Sequence, residues 1–294
     1  MKLDRLGLTD PRTNPARPDL AAAHLIGRVE AARFVAGEAK RVVAPIAPLR
    51  RAPAPDAAQE TEALHGETIT IYDMKDGWAW GQLQRDSYVG YIEAKTLGAP
   101  ANPTHRINAL RSHAWTGPSI KLAPALALPF EARIEIAAQG GDFAVTPDGL
   151  HFWVRHLAPL GQWESDYVIV AERFFGVPYL WGGRTPQGVD CSGLVQTALA
   201  AAGVGAPRDS DQQEFALGAP IAFDESLENL RRGDLVFWKG HVGIMRDAQT
   251  LLHANGWHMS VVSEPLREAR DRIHDQAHGS MTSIRRLALG QSAR

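Results

Sequence analysis

The sequence predicts an α+β chain. Two small β-barrels come first, and a domain with a cysteine-bearing helix packed on an antiparallel sheet follows. Three observations carry this reading. Short alternating apolar runs with turn residues between them recur from Val42 to His156. A single apolar repeat of helical period begins at Cys191. Three short strand-like runs then follow between Leu235 and Gly256.

Taken in order, residues 1–40 read as a loose start followed by one short helix around Leu20–Glu38. From Val42 to about Gly98 the pattern is β. Thr68-Ile-Thr-Ile-Tyr72 alternates, Asp76-Gly77 is a turn signal, and Trp78-Ala-Trp-Gly-Gln-Leu83 alternates again. Tyr88-Val-Gly-Tyr-Ile92 is a further short strand, and Ala99-Pro-Ala-Asn-Pro103 reads as a linker. A second β set contains Arg106–Leu110, Ala132–Ala137 and Phe152–His156. The expected segments are therefore 1–40, 41–99, 104–160 and 165–294.

A length of 294 residues allows two or three domains, and 45% apolar content with 19 prolines fits a globular chain with many loops. A net charge of −2 and a pI near 6.6 give no electrostatic case for nucleic acid, and no polybasic tract marks a membrane surface. Met1–Asp10 is charged and lacks the apolar core of a signal peptide, and no stretch is long enough to span a bilayer. A cytoplasmic location is the expectation, and a single cysteine is compatible with a reducing compartment.

That cysteine, Cys191, can form no internal disulfide and no multi-thiolate metal site. No cluster has metal-ligand spacing, so neither metal nor cofactor is expected. Cys191 is then an inert buried thiol or a nucleophile. Free cysteine is often buried, but the local sequence favours the nucleophile. Cys191, Leu194, Val195, Ala198, Leu199 and Ala202 repeat on one helical face, with Asp190 as N-cap and Gly203 as stop. A thiol in a first helical turn meets unpaired N–H groups and the positive end of the dipole, which lower its pKa.

A catalytic thiol needs a base, and the chain has 11 histidines. Two stand out by position. Leu235–Trp238 and His241–Arg246 read as strands joined by a Lys-Gly turn, and Thr250–Asn255 as a third. The hairpin would bring His241 and His253 onto adjacent strands, one as base and one as its orienter. His258, His274 and His278 fall in polar or irregular contexts and read as ordinary histidines. His65, His105, His113, His151 and His156 belong to the β modules.

Pro178-Tyr-Leu-Trp-Gly-Gly-Arg184, Asp190-Cys-Ser-Gly193, Gly233-Asp234, Gly240-His-Val-Gly243 and His253 together resemble the NlpC family. These are papain-like cysteine peptidases that cut cell-wall peptides, and the resemblance covers about residues 165–290. It implies Cys191 as nucleophile, His241 as general base and His253 as the polar third member. The oxyanion would be held by backbone N–H, that of Cys191 included, with Tyr179 nearby.

Upstream, Leu64–Ile92 resembles bacterial SH3-like domains through Gly77-Trp-Ala-Trp80 and Tyr88-Val-Gly-Tyr91. The second β set reads as SH3-like by position. The whole arrangement is similar to the γ-D-glutamyl-L-diamino-acid endopeptidases of the dipeptidyl-peptidase VI type, which act on free murein peptides. The resemblance implies a substrate beginning L-Ala-γ-D-Glu-diamino acid, with a free amine. Burying that ammonium calls for a carboxylate. Asp190 is the first candidate, with helix capping as its other role. Ser192 and Ser210 suit hydrogen bonds to substrate, and Tyr179 and Trp181 suit pocket walls. Glu62 and Tyr88 fall where this family places its amine-binding carboxylate and tyrosine, with Glu60 and Glu67 as rivals. A non-catalytic murein-peptide-binding protein and an amidase using the same thiol are the alternatives.

Overall fold

Alternation between Glu38 and Gly98 folds into one seven-stranded antiparallel sheet. Its order is Gln59–Leu64, Ile46–Arg50, Val89–Glu93, Trp78–Leu83, Thr68–Lys75, Glu38–Val42 and Leu97–Gly98. The structure is a computed structural model that describes residues 10–275 and 279–288. The chain divides into two units between Gln162 and Trp163.

In the first sheet, Lys75 pairs with Trp78 across Asp76-Gly77, whose φ angles are 51° and 80°. Both central residues are left-handed, the conformation a two-residue hairpin needs to match strand twist. Alternate side chains (Val42, Leu49, Ile69, Ile71, Leu83 and Ile92) form the core beneath it.

The helix expected over Leu20–Glu38 does not form. A 3-10 turn at Ala23–Leu25 and two-residue strands at Ala21–Ala22 and Phe34–Val35 replace it. Gly27 and Gly37 take φ of 75° and 80°, which breaks any helix at both points. The segment is held by tertiary contacts instead. The Arg17 guanidinium lies 4.4 Å from the Trp80 ring centroid and donates to Asp73 at 2.6 Å.

The second β set is more divided than the sequence suggests. Its strands form a three-stranded sheet of Arg133–Ile134, His105–Ile107 and Leu157–Pro159, and a five-stranded sheet. The five-stranded sheet runs Pro124–Pro129, Arg111–Trp115, His151–Trp153, Phe143–Val145 and Ala138–Gly140. Ile107, Ala114, Leu128, Ala132, Ile134 and Phe152 form the core. The expected strand Phe152–His156 ends at Trp153, and Val154–His156 is a 3-10 turn.

In the second unit a six-stranded antiparallel sheet runs Ala219–Ile221, Met281–Arg286, Leu235–Trp238, His241–Met245, Thr250–Asn255 and Ser260–Pro265. Among the described residues four α-helices accompany it: α1 (Tyr167–Glu172), α2 (Cys191–Ala201), α3 (Ser210–Ala216) and α4 (Leu266–Ile273). α2 packs against α1 and against the His241–Met245 and Thr250–Asn255 strands. The sequence suggests a helix with one apolar face, but nearly all of α2 is buried. Two of its polar side chains donate inside the fold, Thr197 Oγ1 to the Arg184 carbonyl at 3.2 Å and Gln196 Nε2 to that of Ala206 at 3.1 Å. α2 ends at Ala201, and Gly203 follows with φ 78°. Among the described residues no helix is long and apolar enough to cross a membrane.

Candidate active site

Asp190-Cys-Ser-Gly193 forms the junction of loop and α2. The Asp190 side chain accepts from the Gly193 N–H at 2.7 Å and so caps the helix, placing Cys191 in its first turn. Gly193 is required there by packing. A Cβ at this position would lie 2.2 Å from the Gly183 carbonyl oxygen, so the loop crosses too closely for any side chain.

The same carboxylate does more than cap. Its Oδ2 accepts from the Gly182 N–H at 2.8 Å and from Arg208 at 2.6 Å. Its Oδ1 also accepts from Arg208 at 3.0 Å and from Ser192 Oγ at 3.3 Å. Arg208 also donates to Ser192 Oγ at 2.9 Å. Asp190, Ser192 and Arg208 are all buried. The carboxylate expected to receive a substrate amine is thus already paired with a guanidinium and accepts donors on both oxygens. Arg208 escaped the sequence reading, which took from Pro207-Arg-Asp-Ser210 only the serine. A buried arginine carries no local signal, because its partner lies 18 residues away.

Cys191 is buried, at 7% exposure. Its thiol is pushed up to about 12, first by burial and then by the Asp190 charge, against the opposing pull of the Val242 N–H, Arg208 and the Ser192 N–H. This corrects the expectation of an acidic thiol. The helix start is present, but desolvation of the sulfur outweighs it. The Val242 contact also places the sulfur beside the backbone that follows His241.

The two histidines meet as expected. His241 and His253 lie on neighbouring strands, with His241 Nε2 2.8 Å from His253 Nδ1. The rings are 5.1 Å apart at 63°, and the Trp238 ring lies 5.7 Å from that of His241. Gly243 makes room for this pair, since a Cβ there would meet Leu251 at 2.7 Å and His253 Cβ at 3.2 Å. Behind His253 stand residues the sequence did not single out. Glu264 Oε1 is 2.7 Å and Asn255 Nδ2 3.0 Å from His253 Nε2, and Arg272 bonds the same Glu264 oxygen. Burial holds the His253 pKa below its ordinary value despite the Glu264 carboxylate. Burial alone would raise Glu264, but the His253 hydrogen bond and the nearby Arg272 bring it below the usual carboxylate value.

The remaining predicted residues differ in burial. Tyr179 is half-buried, and its pKa is raised by burial and by the Cys191 and Asp190 charges, which places its phenol near both. Trp181 is 63% exposed. Ser210 opens α3 and is half-buried. In the first unit, Glu62 lies on the Gln59–Leu64 strand and Tyr88 packs in the core of the first sheet, both buried. Of their rivals, Glu60 pairs with Arg51 at 2.5 Å, and Glu67 is buried and accepts from the Leu64 N–H at 2.9 Å. His258 and His274 are exposed, and His278 lies outside the described residues. Among the described residues no group of three His, Cys, Asp or Glu side chains forms a metal cradle.

Known proteins resemble both parts of the chain. Residues 176–275 match the NlpC/P60 family, and residues 49–97 match the bacterial dipeptidyl-peptidase SH3 domain. The γ-D-glutamyl-L-lysine dipeptidyl-peptidase of Bacillus subtilis (strain 168) is 33% identical over 227 residues, 68% of this chain and 73% of that protein. The protein of the same name from Bacillus cereus is 26% identical over 241 residues, 70% of each chain. A crystal structure of an NlpC/P60 family protein from Bacillus cereus superposes with a TM-score of 0.69 at 20% identity, covering 85% of this chain and 99% of that one. The family matches together with that likeness give this chain a papain-like NlpC/P60 fold with an SH3-like domain, and the peptidase relatives set aside a purely binding role. The chain belongs to the NlpC/P60 family of peptidoglycan-peptide hydrolases and is a cysteine peptidase.

Proposed function

We propose that the chain hydrolyses the γ-D-Glu–diamino-acid bond of free-amine murein peptides of the form L-Ala-γ-D-Glu-diamino acid, in the recycling of cell-wall peptides. Cys191 is the nucleophile, His241 the general base and His253 its orienter. The observation that carries this reading is the 2.8 Å contact between His241 Nε2 and His253 Nδ1, with the N–H of Val242, next in the chain to His241, lowering the pKa of the Cys191 thiol against its burial. A thiol held near 12 needs a base in place to react at neutral pH. His241 Nε2 is committed to His253, so Nδ1 is the nitrogen that takes the thiol proton.

The sulfur then attacks the γ-carbonyl carbon of D-Glu and forms a C–S bond as the carbonyl π pair moves to oxygen. The tetrahedral intermediate collapses, the C–N bond breaks, and the His241 imidazolium returns its proton to the leaving amine of the diamino acid. Water, deprotonated by the same nitrogen, attacks the thioester and releases L-Ala-D-Glu with the thiol restored. Asp190 and Arg208 fix the Gly182–Gly183 loop over the start of α2 and thereby hold the nucleophile in place.

Relatives named γ-D-glutamyl-L-lysine dipeptidyl-peptidases support the substrate class. An unpaired nucleophilic thiol suits a reducing compartment, and we place the chain in the cytoplasm on that ground. We also take residues 104–160 as a second SH3-like module, from their two small sheets around a shared core.

Mass spectrometry of digests of L-Ala-γ-D-Glu-L-Lys and its diaminopimelate counterpart tests the reading. Release of L-Ala-D-Glu is expected, with none from Cys191→Ala. Full turnover by that variant, or cleavage at another bond, would sink it. N-acetylation of the alanine should block cleavage, and unimpaired hydrolysis of the blocked peptide would remove the free-amine requirement.

A further inference from the structure

We propose that Glu264 is a positioning residue of the peptidase, setting the ring tautomers of His253 and His241 so that His241 Nδ1 is left unprotonated as the base. The inference rests on the reading that Cys191, His241 and His253 carry the chemistry. It concerns a residue two steps removed from the reacting atoms.

The argument is one of donors and acceptors. Glu264 Oε1 lies 2.7 Å from His253 Nε2. An ionised carboxylate can only accept, so a contact this short requires the proton on His253 Nε2. Arg272 bonds the same oxygen and keeps the carboxylate charged. His253 is fully buried, with the Arg272 cation and His258 nearby and both opposing a second proton on its ring. A neutral His253 protonated at Nε2 has a bare Nδ1. That nitrogen can only accept the bond from His241 Nε2 at 2.8 Å. His241 therefore carries its proton on Nε2, and its Nδ1 has a lone pair for the thiol.

Asn255 supplies the opposing input. Its Nδ2 lies 3.0 Å from the same His253 Nε2. Its Oδ1 accepts from the His258 N–H at 2.8 Å and lies 3.1 Å from His258 Nδ1, so the amide cannot turn round without losing that bond. Asn255 can therefore offer only a donor to His253. With Glu264 present, the charged acceptor at 2.7 Å wins. Without it, Asn255 donates to Nε2 and the His253 proton moves to Nδ1. The His–His bond then reverses, and the His241 proton moves to Nδ1, where the base should be. No atoms are gained or lost. Two ring protons change nitrogen, and the general base disappears.

The groups facing His253 are thus His241 from the neighbouring strand, Asn255 from its own, His258 from the following turn, Glu264 from the far strand and Arg272 from α4. The strand register explains why Glu264 reaches. His253 pairs with Val262, and Glu264 lies two residues on, a diagonal neighbour on the same face.

Ring-nitrogen NMR of the full chain labelled with 15N-histidine tests the proposal without substrate. At neutral pH the expected result is protonated Nε2 on both His253 and His241, with both protons on Nδ1 in Glu264→Ala. A wild-type His253 protonated at Nδ1 would overturn the proposal. In steady-state assays on the murein tripeptide, Glu264→Ala should lose on the order of 10²–10⁴-fold in kcat/KM, the worth of a general base. Removing Asn255 as well, in Glu264→Ala/Asn255→Ala, should recover roughly tenfold of that loss. A packing role for Glu264 would instead give a double variant worse than either single one. If wild type fails to cleave the tripeptide, the substrate reading fails while the NMR result still decides the relay.

Discussion

Arg208 binds Asp190, the residue just before Cys191, through both terminal nitrogens, at 3.0 and 2.6 Å. Both side chains are buried, so neither charge can fall back on water. Breaking such a pair from one side leaves the other charge uncompensated.

Arg208→Met should therefore cost about 3–5 kcal/mol of stability. Asp190→Asn in the same chain removes the stranded charge and keeps a capping oxygen, so the double variant should be more stable than Arg208→Met alone. Urea unfolding of the three proteins measures this. Additive losses would mean that the two residues do not act as a pair.

The buried thiol makes a kinetic prediction. Cys191 is the chain's only cysteine, so iodoacetamide uptake reports on it alone. With its thiol near 12, Cys191 in a His241→Ala variant should react slowly at pH 7 and speed up as pH climbs toward that value. Wild type should react much faster at pH 7. Equal rates there would remove His241 from the role of base.

His253 links stability to pH. Its folded pKa lies below the ordinary value of about 6.5. Between those two values the unfolded chain binds a proton that the folded chain does not. Its contribution is therefore fully present above about 6.5 and is lost as pH falls through the folded value. The slope is at most about 1.4 kcal/mol per pH unit. Urea midpoints of wild type and His253→Gln across pH 5–7.5 should converge as pH falls. Parallel curves would show that His253 does not titrate with unfolding.

Two glycines separate packing from chain flexibility. Gly193→Ala drives a Cβ to within 2.2 Å of the Gly183 carbonyl, whereas a Cβ at Gly205 meets nothing within 4 Å. Gly193→Ala should lose about 1–3 kcal/mol and most activity, since the shifted loop carries the Gly182 N–H that ties Asp190. Gly205→Ala should change the urea midpoint little. Similar losses at both sites would show that the close approach to Gly183 is not the cause, since backbone entropy alone favours alanine.

Much of the second unit was legible in the sequence because its signals are local. The N-cap at Asp190, the apolar repeat after Cys191 and the Lys-Gly turn between Trp238 and His241 each act over a few residues, and each forms as read. The Leu20–Glu38 helix failed for a related reason. Gly27 and Gly37 in left-handed conformations and the anchoring of Arg17 decided otherwise.

By itself, the sequence determined where a lone cysteine and two histidines fall, one at a helix start and two on neighbouring strands, because these are patterns of spacing. The tertiary structure alone decided what surrounds them. The Thr250–Asn255 and Ser260–Pro265 hairpin closes through the four residues 256–259, and that loop length sets the register that brings Glu264 to His253. Arg208 reaches Asp190 only because the chain returns to the start of α2. The thiol is buried rather than acidic because desolvation is a property of packed neighbours, which no stretch of sequence around Cys191 contains.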